Sequence, residues 1–255
     1  MRNFKMILQY EGTRYQGWQK QESTDNTIQG KLEALLSKMI GEKVEVHGSG
    51  RTDAGVHALG QVAHFHADTD KTPAEILEYM NFYLPEDIGV IELSEVPERF
   101  HSRLNAKGKT YCYRVINSRL PHVFDRRYAH TEDEKLDVEA MKCAAEYLIG
   151  THDFKAFTSN KRSKKSTVRT IESIQIERVT SASLSMTEEA DEIRFLYSGN
   201  GFLYHMVRIL TGTLLEVGKH KRKPEDMVGI LKSGNRENAG ELAPAKGLTL
   251  MEVRY

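Results

Sequence analysis

Phe4, Met6, Leu8 and Tyr10 alternate with Lys5, Ile7 and Gln9, a period of two that predicts a strand with one strongly apolar face. The turn-rich, polar EGTRYQGWQKQ follows. The period then changes, because Ile28, Leu32, Leu35, Leu36, Met39 and Ile40 recur at helical spacing with Asn26 or Thr27 available as a cap. A short strand with Val44 and Val46, a glycine-rich turn and a strand-like QVAHFHA at Gln61 to Ala67 come next. Thr72-Pro73-Ala74-Glu75 combines a capping box with proline at the first helical position, so a helix through Ile76, Leu77 and Met80 is expected to run to Pro85.

The second half repeats the order. Tyr111, Tyr113 and Val115 share one strand face, and Leu136 to Ile149 reads as an amphipathic helix with Val138, Met141, Ala145 and Leu148 on its apolar side. Strands are expected around Ile171, Ile174 and Ile176, and around Ile193, Phe195 and Tyr197. Gly199-Asn200-Gly201 then reads as a hairpin turn before Phe202. An apolar helix from Met206 to Val217, a helix near Pro224 to Lys232 and a last strand near Leu248 to Tyr255 close the chain. Each half thus reads strand, helix, strand, strand, helix. The pattern implies an internal duplication in an α+β chain: two pseudo-symmetric halves, residues 1–105 and 106–255, with antiparallel sheets flanked by helices and a cleft between them. A length of 255 residues suits two small units, and no low-complexity linker separates them.

Composition adds exclusions. With 39% apolar and 28% charged residues the chain is neither disordered nor fibrous. No stretch approaches the roughly 18 to 20 apolar residues of a bilayer span, and MRNFKMILQYEG lacks a signal peptide's apolar region, so a soluble, cytoplasmic protein is expected. Cys112 and Cys143 form no CxxC pair and read as reduced thiols. The 36 Lys and Arg balance the 36 Asp and Glu, which by itself speaks against a polyanionic partner. The charges are segregated, however: KRSKK at Lys161 to Lys165 with Arg169, and KHKRK at Lys219 to Lys223, are basic, while Glu132 to Glu139 and Glu188 to Glu192 supply acid elsewhere. Each run taken alone reads most simply as a solvated face, whereas two together form an electrostatic footprint.

The chemistry concentrates in GSGRTDAGVHALGQVAHF, Gly48 to Phe65. Gly48, Gly50 and Gly55 surround Asp53, which puts that carboxylate on a tight turn with Arg51 two residues before it. A nearby guanidinium would keep the carboxylate ionised, the state an aspartate nucleophile needs. On residue types alone Arg51 and Asp53 read equally as a loop salt bridge. The order Thr52-Asp53-Ala54-Gly55 does not fit an aspartic protease, and no P-loop string occurs. His57, His64 and His66 lack a further clustered ligand, so no metal site is expected.

GRTDAGVHA closely resembles the active-site motif of the tRNA pseudouridine synthase A family. YEGTRYQGWQKQ, FHSRLNAKGKTYCYR at Phe100 to Arg114, GTHDFKAF at Gly150 to Phe157, STVRTI at Ser166 to Ile171 and GNGFLYHMVRILTGTLLEVG at Gly199 to Gly218 agree with that family in order, so the similarity spans nearly the whole chain. The resemblance implies the pseudouridine synthase fold, no cofactor and no metal. It also implies isomerisation of uridine to pseudouridine at positions 38, 39 and 40 of the tRNA anticodon stem-loop by a homodimer. The bond from ribose to the base nitrogen breaks, the base rotates, and it is rejoined through carbon. The target base must also leave its stack.

Carried onto these residues, the resemblance makes Asp53 the nucleophile and Tyr111 the ring that packs on the flipped uridine and is a candidate acceptor for its C5 proton. Arg208, in the apolar helix, becomes the partner that keeps Asp53 charged across the cleft, and Arg51 a contact to the RNA. Leu203 and Val207 become pocket walls, although lone apolar residues of this kind read as plain core. Lys161, Arg162, Lys164, Lys165, Arg169, Lys219, Lys221 and Arg222 become contacts to tRNA phosphates, which set affinity and register rather than sequence. The charged SNKRSKKS loop is where the chain departs from the family pattern. Two other readings stand beside this one: a catalytically silent tRNA-binding module, against which intact Asp53, Tyr111 and Arg208 count, and a hydrolase, weakened by the lack of a second positioned carboxylate.

Overall fold

The computed structural model describes residues 1–160, 166–180 and 191–255. They form two compact units, Met1–Lys107 with Thr249–Tyr255, and Gly108–Leu248.

In the first unit the alternating N-terminal segment is β1 (Arg2–Tyr10), followed by α1 (Ile28–Ile40), β2 (Val46–Gly48), β3 (His57–Ala67), α2 (Pro73–Tyr83) and β4 (Ile88–Val96). β1 lies between β4 and β3, antiparallel to both, with Phe4 opposite Phe65, and β2 pairs antiparallel with the far end of β3. Phe4, Met6, Leu8 and Phe65 are fully buried together with Ile28, Leu32 and Leu36 of α1 and Ile76 and Met80 of α2. Both helices begin where the sequence signals them. Thr27 accepts the Gly30 N–H and Gly41 ends α1 at φ 88°, while Thr72 and Glu75 complete the reciprocal capping box of α2.

Sequence periodicity does not reveal β4, and the register shows why. Ile7 pairs with Glu92 but Leu8 with Val90, so Ile91 is an extra residue without a partner on β1 and is exposed. The bulge reverses the phase, so Val90 and Leu93 are both buried and strict alternation is lost. A second difference concerns the last strand, Leu248–Arg254. Sequence order assigns it to the second half, but Thr249 and Leu250 pair parallel with His57 and Ala58 of β3 in the first unit. A parallel partner need not be near in sequence, so hydrophobic pattern alone does not reveal it.

The second unit contains β5 (Gly108–Asn117), β6 (His130–Glu132), α3 (Val138–Glu146), β7 (Gly150–Asp153), β8 (Val168–Thr180), β9 (Asp191–Gly199), α4 (Met206–Gly218) and α5 (Asp226–Ser233). β9 lies antiparallel between β5 and β8, β7 adds to β8, and the short β6 runs parallel to β5. β6 and β7 have three and four residues, too short to show a period. Tyr113, Phe195 and Tyr197 are fully buried, as are Met141 and Leu148 and the α4 residues Ile209, Leu210, Leu214 and Val217. The Tyr197 hydroxyl satisfies itself on Thr211 of α4 at 2.9 Å, which lets a buried tyrosine sit in an otherwise apolar interior.

Gly212 marks the tightest approach within this unit. A Cβ built there would lie 1.9 Å from the carbonyl oxygen of Glu241. In a free helix Gly→Ala stabilises by up to about 1 kcal/mol. Here the sign reverses: Gly212→Ala is expected to destabilise by roughly 2 to 3 kcal/mol through overpacking. A rise in the thermal unfolding midpoint would show that the segment carrying Glu241 yields freely.

Candidate active site

Asp53 is half-buried and Arg51 exposed, on the stretch that joins β2 to β3. This stretch has almost no ladder of its own, so its polar backbone atoms must find partners elsewhere. Its clamps come from both sides. The Trp18 N–H donates to the Thr52 carbonyl at 3.0 Å, Gln61 Nε2 to the Gly50 carbonyl at 3.0 Å, and the Ser49 N–H to the Val62 carbonyl at 2.7 Å. Asp53 closes the turn itself, its carbonyl accepting the Val56 N–H at 3.1 Å. Side chains extend the frame: Ser49 Oγ donates to Gln61 Oε1 at 2.7 Å, and the Tyr10 hydroxyl shares a 2.8 Å hydrogen bond with Thr52 Oγ1. Burial pushes the Tyr10 phenol up to about 12, so it remains a neutral hydroxyl at physiological pH.

The EGTRYQGW segment fits against this stretch at glycine. A Cβ at Gly12 would lie 2.0 Å from the Val56 carbonyl oxygen, and one at Gly17, where φ is 89°, 2.7 Å from that of Thr52. Gly48 in turn faces the Trp18 ring, which a Cβ would meet at 2.5 Å. Tyr10, Trp18 and Gln61 are therefore parts of the site that sequence reasoning did not single out. The available signal was Gln61, a polar residue in a strand whose neighbours read as buried.

The histidines of β3 hold structure. His57 Nδ1 accepts the Gly12 N–H at 3.0 Å. His64 is buried, takes the Ser102 N–H at 3.2 Å on Nδ1, and has the imidazoles of His101, His47 and His66 at 4.6, 5.1 and 5.7 Å. Burial first, then these neighbours, push its pKa down to about 4. Among the described residues no group of three or more His, Cys, Asp or Glu side chains could hold a metal ion.

In the second unit, Tyr111 stands on β5 opposite Tyr197 of β9, largely buried, with the Phe202 ring edge-on at 5.3 Å and 88°. Phe202 is another residue that sequence reasoning did not single out; the sequence pattern puts it just past a hairpin turn, whereas β9 ends at Gly199 and the chain passes on into α4. Arg208 occupies the first turn of α4, half-buried; its Nε donates to the Ala243 carbonyl at 2.7 Å, and the Ala243 N–H returns to the Arg208 carbonyl at 3.2 Å. Leu203 is half-buried and Val207 nearly fully buried in the same region of the chain.

A family model described as tRNA pseudouridine synthase matches residues 6–105 and 144–255. The chain belongs to that family. It is 51% identical over all 255 residues, and over the whole of the other protein, to "tRNA pseudouridine synthase A 1" of Clostridium tetani. It is 46% identical, again over the full length of both, to "tRNA pseudouridine synthase A" of Bacillus sp. strain KSM-64. The family's isomerase activity and α+β architecture agree with what the sequence implied.

The KHKRK run needs a correction. Its compensating acid does not sit elsewhere, because Glu132 and Glu134 face it. Lys219 Nζ lies 2.9 Å from Glu132 and 3.9 Å from Glu134, Lys221 pairs with Glu134 at 2.6 Å, and Arg222 pairs with Glu216 while donating to the Asn238 carbonyl at 2.8 Å. Segments distant in sequence adjoin in the fold, which charge runs cannot show. Arg169 is half-buried on β8, its Nη1 donating to the Ser166 and Val168 carbonyls. Lys161, Arg162, Lys164 and Lys165 lie outside the described residues.

Two outcomes follow from these charges. Lys219→Ala leaves the largely buried Glu132 without its main cation and is expected to destabilise by about 3 kcal/mol, whereas Lys221→Ala, at an exposed pair, is expected to change stability by less than about 1 kcal/mol; denaturant midpoints check the contrast. For His64, the folded pKa of about 4 lies below the ordinary value of 6.5, so the unfolded chain binds more protons between the two. Stability is therefore complete above pH 6.5 and falls as pH drops toward 4, and His64→Gln should flatten that slope; an unchanged slope would locate the acid sensitivity elsewhere.

Proposed function

We propose that this chain converts uridine to pseudouridine at positions 38, 39 and 40 of the tRNA anticodon stem-loop, with Asp53 as the nucleophile. The observation that carries the reading is the Asp53 loop: a carboxylate on a turn clamped by Trp18, Gln61 and Tyr10 through four hydrogen bonds of main chain and side chain. Electrostatic and nucleophilic catalysis both depend on such preorganisation, because a group already in place needs no reorganisation when the substrate reacts.

The reaction is an isomerisation. The bond between ribose C1′ and N1 breaks, the uracil turns, and C1′ bonds to C5; C5 loses a proton and N1 ends with one, so no oxidant or co-substrate is consumed. In this reading the Asp53 carboxylate bonds the substrate while the base turns, and Arg208 is the cation assigned to that carboxylate. Tyr111 offers its ring to the unstacked base, with Phe202 holding that ring edge-on and Leu203 and Val207 as apolar walls. Arg51 contacts the RNA. Arg169 together with Lys161, Arg162, Lys164 and Lys165 serve phosphates, and Lys219, Lys221 and Arg222 contribute only if RNA phosphates displace their present carboxylate partners. Reading several adjacent uridines suits recognition of backbone and shape. We assign the chain to the cytoplasm, where its substrate is, and to a homodimer.

The test is pseudouridine mapping of unmodified tRNA transcripts. Conversion at 38 to 40 by the purified chain, lost in Asp53→Ala while tRNA affinity stays within about threefold, is the expected result. Unchanged conversion in Asp53→Ala would remove Asp53 as nucleophile. Tight binding with no conversion by the unaltered chain would identify a tRNA-binding module instead.

A further inference from the structure

Gln61 is fully buried, in the strand that follows the Asp53 turn. A buried primary amide is costly unless both its ends are satisfied, and this one is satisfied entirely by the parts of one loop and one phenol. Its Oε1 accepts from Ser49 Oγ at 2.7 Å, and its Nε2 donates to the Gly50 carbonyl at 3.0 Å and to the Tyr10 hydroxyl at 3.4 Å. Tyr10 passes the chain on to Thr52 Oγ1 at 2.8 Å, one residue from Asp53, and the Thr52 carbonyl is held in addition by the Trp18 N–H. Ser49, Gly50 and Thr52 are thus tied through two side chains of neighbouring strands, β1 and β3. No member of the network carries a charge, and its last hydroxyl bonds the residue next to the carboxylate.

We infer that Gln61 and Tyr10 are positioning residues for Asp53: through Ser49, Gly50 and Thr52 they fix where the carboxylate stands, and they act on the rate of the chemical step rather than on tRNA binding. The inference rests on Asp53 being the nucleophile. A carboxylate displaced by about 1 Å can lose on the order of a hundredfold in rate while every binding contact made elsewhere survives. A role in stability alone would instead lower the folded fraction and leave the rate per folded molecule unchanged.

Single-turnover conversion of unmodified tRNA transcript at saturating protein separates the two, measured beside tRNA affinity and thermal unfolding. Tyr10→Phe, which deletes one oxygen, is expected to slow the chemical step roughly 10 to 100-fold with tRNA affinity within about twofold. Thr52→Val is expected to do the same, Thr52→Ser, which keeps the hydroxyl, to restore the rate to within about threefold, and the Tyr10→Phe/Thr52→Val pair to be no slower than either single variant. Gln61→Met, matched in size, should also slow the step. Should Gln61→Met fail to fold, Tyr10→Phe and the Thr52 pair carry the decision. Normal single-turnover rates in Tyr10→Phe and Thr52→Val, with Asp53→Asn inactive, would overturn the positioning role and leave the nucleophile standing. Multiplicative losses in the double variant would also overturn it, since the two groups would then act separately. Full activity in Asp53→Asn would remove the nucleophile and this inference with it.

Discussion

The turn that carries the Asp53 carboxylate has almost no hydrogen-bond ladder of its own, and its backbone must be satisfied by other parts of the first unit. Most of the donors and acceptors from Ser49 to Val56 lie outside the β2–β3 ladder, and leaving them buried and unmet would cost on the order of 1 to 3 kcal/mol each. The partners come from the end of β1, from the segment after it and from the middle of β3: Tyr10, Trp18 and Gln61. Close approach is possible because Gly12, Gly17 and Gly48 offer backbone or open space where a Cβ would collide. The same contacts that satisfy the loop therefore also leave it one conformation, so stability and orientation of Asp53 come from one set of bonds.

Much of this was legible in the chain and some was not, for definite reasons. Helix starts were readable where capping was read locally: Thr27 and Thr72 each accept an N–H three residues on, and their identities announce it, whereas the apolar pattern puts α3 from Leu136 and the helix in fact starts at Val138 behind an Asp137 cap. Long strands were readable because alternation survives over nine or more residues, as in β1. β4 was lost because a single unpaired Ile91 shifts the phase, and the last strand's partner was lost because parallel pairing with β3 has no local signature. Asp53 stood out through its glycines and its motif. Trp18, Gln61 and Phe202 did not, since what matters in them is a neighbour contributed by another element.

Charge shows the same division between local and distant information. KHKRK read from sequence is a basic run of the type that binds phosphates, yet in the fold Lys219 is 16% exposed in its side chain and lies between Glu132 and Glu134. The exchange of carboxylate for phosphate there would have to repay the desolvation of Glu132. Glu192 in the same unit illustrates the strength such an arrangement reaches: Arg114 grips both its oxygens, at 2.8 and 2.9 Å, and Arg194 adds a third bond at 2.6 Å. Although burial opposes ionisation, those guanidinium bonds hold its pKa down to about 2. A basic residue next to acid in space is thus better read as part of a structural pair than as free positive field.

The entry to α4 is one place where the second unit departs from local preference. His205 takes φ 65°, a left-handed conformation that a side chain other than glycine adopts only at a cost, and no side chain caps the helix there. Its ring stacks on Tyr204 at 3.7 Å and its Nδ1 meets Ser159 Oγ at 2.9 Å, while Thr158 Oγ1 donates to the Tyr204 carbonyl at 3.0 Å. Those contacts hold the kink from outside the helix. Its effect is to let the chain turn from Leu203 directly into a helix whose first turn carries Val207 and Arg208. Arg208 is then locked to Ala243 twice, its Nε donating to the Ala243 carbonyl and its own carbonyl accepting the Ala243 N–H. The two units thus hold a charged group by different means: the first by a hydrogen-bonded frame around a glycine-rich turn, and the second by a backbone clasp on Arg208 in the first turn of α4.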